Sequence, residues 1–177
     1  MIDLNLVLAL AVLALLAWHL SWTAARLDRL HARVEGARAA LDAQLLRRSA
    51  AATSLAGSGL LDPASSVLLA QAAYDARDAA ADDQEIRESD LSRALRATLE
   101  APQVAETLAA DPAGAALLGE LVAAGQRVQL ARRFHNDAVR AARALRGSWV
   151  VRWARLAGRA PRPRSFEIDD EAPDLPG

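Results

Sequence analysis

The chain has 177 residues, a formal net charge of −1, and neither cysteine nor lysine. That length suits one membrane-spanning helix plus one compact domain, and the lack of cysteine removes disulfides, thiolate catalysis and Cys-based metal sites. The balanced charge and the 4% aromatic content argue against nucleic acid as a partner.

Residues Leu4 to Trp22 read LNLVLALAVLALLAWHLSW, with no Asp, Glu, Lys or Arg, which is close to bilayer-spanning length. A cleaved signal peptide would need a basic region before a short apolar stretch, yet only Asp3 precedes this run and the first basic residue is Arg26. A core helix would show a polar stripe, and none appears before His19 and Ser21. The run therefore reads as a single transmembrane helix, with Trp18 and Trp22 at the end where an aromatic belt is expected. Arg26, Arg29, Arg33 and Arg38 come after it and no basic side chain precedes it. The positive-inside rule then puts the body in the cytoplasm and the N-terminus outside. A lone anchor can also export the domain attached to it, so the opposite orientation stays open.

The next stretch, from Ala24 to Leu55, places Leu27, Leu30, Val34, Ala37, Leu41, Leu45 and Leu55 on one stripe at three- and four-residue steps. It continues the anchor without a break until Gly57-Ser58-Gly59. Asp62-Pro63 then supplies an N-cap and a first-turn proline for a second helix to about Asp82, with Val67, Leu68, Ala72 and Ala79 as its expected apolar face. Ser89 reads as a further start before Leu91, Leu95 and Leu99. Pro102 interrupts that segment, and Asp111-Pro112 opens the last long helix, about Ala113 to Arg146. Its seam is Leu117, Leu121, Val128, Ala131, His135, Ala138 and Ala142.

After Gly147, the sequence SWVVRWARLA puts Trp149, Val150, Trp153 and Leu156 on one side, with Arg152 and Arg155 beside them. Such a segment lies in a membrane interface or covers the end of a bundle. From Arg159 to Gly177 prolines concentrate and the charge turns from basic to acidic, the composition of a flexible tail. No window alternates with period two. The predicted fold is all-α: an N-terminal transmembrane helix followed by an antiparallel up-and-down bundle of three to four helices. Its parts are an anchor at 1–23, the bundle at 24–147, a basic amphipathic segment at 148–158 and a Pro-rich tail at 159–177.

Two blocks resemble a known family. Arg33-Val34, Ala37, Leu41-Asp42, Gln44-Leu45 and Arg47-Arg48 match the spacing R-V-x-x-A-x-x-x-(I/L)-D-x-Q-L-x-R-R found in the LemA family just after an N-terminal membrane helix. Glu120-Leu121, Arg127-Val128, Ala131-Arg132 and Asn136-Asp137 with Val139 are similar to its E-L-x5-R-I-x-x-A-R-x-x-Y-N-D-x-V segment. Leu91-Ser92 resembles a short L-S element, and Phe166-Glu167 a closing F-E. His135 stands where that family has Tyr, Arg38 where it often has Trp, and Thr53-Ser54 where it has Pro-Asn, with the subsequent His-Glu missing. The chain thus looks like a divergent member. The resemblance implies a membrane-anchored antiparallel helical domain and brings no catalytic residues.

Among the polar constellations, Asp42, Gln44, Arg47 and Arg48 would meet Arg127, Asn136 and Asp137 if the two long helices are neighbours, either as a partner-binding patch or as a network fixing register. His135 falls on the apolar seam, where a buried neutral imidazole bonded to a backbone or carboxylate group is expected, and no second ligand stands three or four residues away. Asp82-Asp83, Glu85 and Glu88 lack the calcium-loop pattern and read as a solvated acidic loop. Gly57-Ser58-Gly59 is too short for a phosphate loop. No cofactor, metal or catalytic site is therefore expected. The candidate interaction or register-fixing residues are Asp42, Gln44, Arg47, Arg48, Arg127, His135, Asn136 and Asp137. Trp18, Trp22, Trp149, Arg152 and Trp153 are the candidate membrane-interface residues. The expected function is a non-catalytic scaffold or adaptor of the bacterial cell envelope. Its partners would be the bilayer and unidentified membrane or envelope proteins, and a homo-oligomer is compatible with this. The alternative is a sensor or accessory subunit of a membrane protease or another envelope complex.

Overall fold

The structure, a computed structural model, describes residues 4–154 and 161–171. Among these residues there are six helices and no strand: α1 (Leu4–Ala56), α2 (Pro63–Arg77), α3 (Gln84–Leu99), α4 (Pro102–Ala110), α5 (Pro112–Gly147) and α6 (Trp149–Trp153). The chain divides into two compact units, one of Met1–Ala37 with His135–Ser165 and one of Arg38–Phe134 with Phe166–Gly177. Both long helices therefore contribute to both units, a division the linear partition at residues 23 and 147 does not make.

In the first unit, Leu4 to His19 are exposed throughout, and burial on α1 begins with Thr23 and Leu27. His135, Asn136, Ala138, Val139 and Ala142 are the buried residues of α5 in this unit. Hydrogen bonds tie the segment after α6 back to α5. Arg143 Nε donates to the Pro163 carbonyl at 2.8 Å and Arg146 Nη1 to the Pro161 carbonyl at 2.7 Å, while His135 Nε2 lies 3.2 Å from the Arg164 carbonyl oxygen. Arg155 and Leu156 of the amphipathic segment, and 159–160 and 172–177 of the tail, lie outside the described residues.

The second unit holds the larger core. Ala52 and Leu55 of α1, Leu69 and Ala73 of α2, Leu91, Leu95 and Leu99 of α3, Leu108 of α4 and Leu121 of α5 form one cluster. Leu41, Leu45, Val128 and Phe166 form another. Burial of each such Leu or Val stabilises by roughly 1.5–3 kcal/mol relative to exposure. Sequence periodicity identifies most of the residues of α1, α3 and α5 in these clusters.

The turns explain where elements begin and end. After α1, Ser58 Oγ donates to the Leu55 carbonyl and accepts from the Leu60 amide, and Gly59 takes φ +76°, a left-handed value that favours glycine. Asp62 caps α2 by accepting from the Ala64 and Ser65 amides at 3.0 Å each. The helix ends at Arg77, short of Asp82, with the Asp78 amide bonded to the Tyr74 carbonyl. Its buried face is Leu69, Ala73 and Ala76, while Val67 and Leu68 are each 68% exposed, contrary to the sequence expectation. In the run Val67-Leu68-Leu69 only one direction can face the core. The small Ala73 and Ala76 let the backbone come close, so the stripe with Leu69 is the one that packs.

The third helix begins at Gln84, so Ser89 is an internal residue whose hydroxyl donates to the Glu85 carbonyl at 2.7 Å rather than a cap. Asp111 caps α5, accepting from the Gly114 amide at 2.7 Å, and α4 and α5 meet at 115°. Composition reads the segment from 159 as a flexible tail, yet 166–171 is a packed strap in which Phe166 is 2% exposed. The reason is a single aromatic anchor followed by carboxylates that meet arginines.

Candidate functional site

The polar centre of the second unit is Arg48, which is 4% exposed. A guanidinium at that depth requires compensation. Glu88, on α3 and 1% exposed, supplies it: Arg48 Nη2 lies 2.5 Å from Glu88 Oε2 and also donates to the Glu88 carbonyl at 3.0 Å. Arg48 Nη1 donates to Ser92 Oγ at 3.0 Å, and that hydroxyl in turn donates a hydrogen bond to the Glu88 carbonyl at 3.1 Å. Burial pushes the Glu88 carboxyl above the ordinary carboxylate range, opposed by the charge and hydrogen bond of Arg48. Glu88 is thus a core residue and not part of the solvated acidic loop that its charge suggests. The signal in the sequence is its spacing of three, four and seven residues from Leu91, Ser92 and Leu95 on the apolar stripe.

Beside this pair lies a cleft of about 100 Å³. Leu95, Leu99, Leu121 and Val122 form apolar walls, and Arg48 and Ser92 also line it. Arg48 Nε is buried without a hydrogen-bond partner among the described residues. With its charge met by Glu88 and the Ser92 proton engaged by a carbonyl, the floor offers neither a free cation nor an activated nucleophile.

The strap 166–171 borders the cleft through Asp170 and Glu171. Arg96 takes Asp169 in a two-pronged contact, with Nη1 to Oδ1 at 2.9 Å and Nη2 to Oδ2. Arg132 takes Asp170 the same way, at 2.7 and 3.0 Å. The Glu167 amide donates to Glu85 at 2.7 Å and the Asp169 amide to Ser89 Oγ at 3.1 Å. Arg38 lies 4.8 Å over the Phe166 ring, bonds to Gln84, and pairs with Asp42 at 3.1 Å. The Arg96 hydrogen bond holds the Asp169 carboxyl below its ordinary range. Among strap residues, only Phe166 and Glu167 carry a sequence signal.

The eight interaction candidates occupy different settings. Arg48 is structural, with its partners on α3. Arg47 and Arg127 are exposed, and Asp137 is an exposed partner of Arg140. Asp42 pairs with Arg38, and Gln44 Oε1 is buried without a partner among the described residues. His135 and Asn136 are buried in the first unit. Of the interface candidates, Trp18, Trp22, Trp149, Arg152 and Trp153 are all exposed. Among the described residues, no group of three or more His, Cys, Asp or Glu is placed to hold a metal ion.

Compared with known proteins, the chain matches no family model, no curated protein and no solved structure. Among the described residues, one single helix, near the N-terminus, is long and apolar enough to cross a membrane.

Proposed function

We propose that the chain is a single-pass membrane-anchored helical scaffold of the cell envelope, without catalytic activity of its own, whose body binds protein partners beside the bilayer. The observation that carries the reading is the exposed segment from Leu4 to His19, none of it covered by the other described residues. An apolar surface of that length needs lipid or another protein. Its apolar character runs round the whole circumference, where a protein partner would require only a stripe, and this favours lipid. The arginines beyond it favour a body on the cytoplasmic side.

The body is taken as an up-and-down bundle built on the LemA-like pattern. Leu41 from the first block, Val128 from the second and Phe166 from the closing F-E share one core cluster, which is why we extend the sequence likeness to the fold. For the partner surface, Leu130 and Phe134 lie four residues apart on α5 and stay more than half exposed, with exposed Arg127 and Arg133 alongside. An apolar centre with an arginine rim is the composition of a protein interface.

Cross-linking in native membranes tests this. Leu130→Asp with Phe134→Asp, both on the surface, is expected to remove the cross-linked partners while the chain stays membrane-bound and helical. Arg47→Glu serves as a second surface variant. Partners retained at the wild-type level by both variants would overturn the choice of surface. A cross-linked species containing only this chain would identify the partner as a second copy.

A further inference from the structure

Val151 of α6 is 1% exposed, while Trp149 and Trp153 on either side of it are 71% and 70% exposed. Positions two apart on a helix point to opposite sides, and positions four apart share one side. Val151 is therefore the residue that fixes α6 to the first unit, and the two indoles stand together on its outer face. They touch edge to face, with centroids 6.1 Å apart and planes at 89°. Arg152 between them is exposed as well.

Unit membership says what lies beside this pair. The first unit contains α1 up to Ala37 and α5 from His135 onward. The chain leaves the unit at Ala37 and re-enters it at His135. The far end of the returning run, which is α6, then falls at the opposite end, where burial on α1 begins at Thr23. The lengths are similar: Trp22 to Ala37 spans about 22 Å and His135 to Gly147 about 18 Å at 1.5 Å per residue. At that level of α1, Trp18 and Trp22 are exposed, and Arg26 sits 5.7 Å over the Trp22 ring. Tryptophan with arginine is the pairing that favours the boundary between acyl chains and headgroups.

We propose that Trp149 and Trp153 enter the headgroup boundary of the same bilayer that α1 crosses, making a second lipid contact that fixes the body against the membrane. The proposal rests on the membrane-anchor reading of α1. Two contacts separated in sequence hinder rotation of the body about the axis of α1, which a lone helix would allow.

The chain has four tryptophans, so single-tryptophan forms of the full-length protein report on each site. One form keeps Trp149 (Trp18→Phe, Trp22→Phe, Trp153→Phe) and another keeps Trp22 (Trp18→Phe, Trp149→Phe, Trp153→Phe). Both are reconstituted in vesicles of phosphatidylcholine and phosphatidylglycerol, with and without shallow brominated acyl chains, and circular dichroism checks helicity. The expected result is a loss of Trp149 emission to bromine comparable with that of Trp22, with Trp149 shielded from aqueous iodide. Trp149 open to iodide and untouched by bromine, with Trp22 quenched, would overturn the proposal and leave the anchor standing. Blue-shifted Trp149 emission without bromine quenching would assign the face to protein and also overturn it. If neither tryptophan senses bromine, the anchor reading itself falls.

Discussion

A β-carbon at Gly114 would meet the Leu108 carbonyl oxygen at 2.6 Å and the Leu108 Cα at 3.0 Å, both backbone atoms that cannot swing aside. Gly114→Ala is therefore expected to destabilise the second unit by about 1–3 kcal/mol despite the better helix propensity of alanine. At Gly119 the same substitution meets nothing within 4 Å. There thermal unfolding should show a gain of up to about 1 kcal/mol. The Arg48–Glu88 pair makes a sharper comparison. Arg48→Met alone leaves a buried carboxylate and is expected to cost about 3–5 kcal/mol, whereas Arg48→Met with Glu88→Leu should recover most of that loss. Glu88 also links stability to pH. Its native carboxyl keeps a proton to higher pH than the unfolded one, so the native state binds more protons in that window. Stability falls as pH rises from the ordinary carboxylate value through the raised one. Urea midpoints measured across this window should slope for the wild type, and Glu88→Gln should lose that component. Glu88 is hard to place from sequence because charge is a reliable sign of exposure only until a buried partner compensates it, and Arg48 lies 40 positions away.

The strap is held by an apolar plug and by charge. Phe166→Ala should cost about 3–5 kcal/mol, read from denaturant unfolding, because it leaves a void among Leu41, Leu45 and Val128. Asp169 acts with the opposite sign to Glu88. Its carboxyl is held below the ordinary range, so its contribution is present at neutral pH and is lost as pH falls through the lowered value. The Asp169 amide resonance should shift over that acid range, and Asp169→Asn should flatten the response. Such strap contacts are hidden from periodicity, since an extended segment with one aromatic leaves no repeat to read. The long helices are legible for the converse reason: Leu27, Leu41 and Leu45 on α1 and Leu121, Val128 and Ala138 on α5 repeat at helical spacing and are buried. In α2 nearly every position is apolar or small, so the pattern allows two faces, and the Val67-Leu68 face is the exposed one.

For the chain taken together, the exposed segment from Leu4 to His19 carries the proposed membrane setting. Full-length protein should sediment with membranes and resist alkaline carbonate, and appearance in the soluble fraction would sink the anchor reading. On the proposed topology, reversing the flanking charge with Arg26→Glu, Arg29→Glu and Arg33→Glu should weaken the bias toward a cytoplasmic body. A reporter fused at the C-terminus would read this as a mixed or inverted topology. The candidate partner surface is less legible in sequence than the anchor. Leu130 and Phe134 stand off the seam that the helical spacing marks on α5, and the structure leaves them uncovered.

Phe166 fills its place among Leu41, Leu45 and Val128 although it follows all three in the chain. Ribosomal synthesis delivers the two leucines more than a hundred codons before their plug. Throughout that interval the nascent body is unsealed, while the N-terminal segment is already available for insertion. On the proposed anchoring, each molecule passes through a stage of being tethered but unfinished, when a chaperone at the membrane has the most to protect.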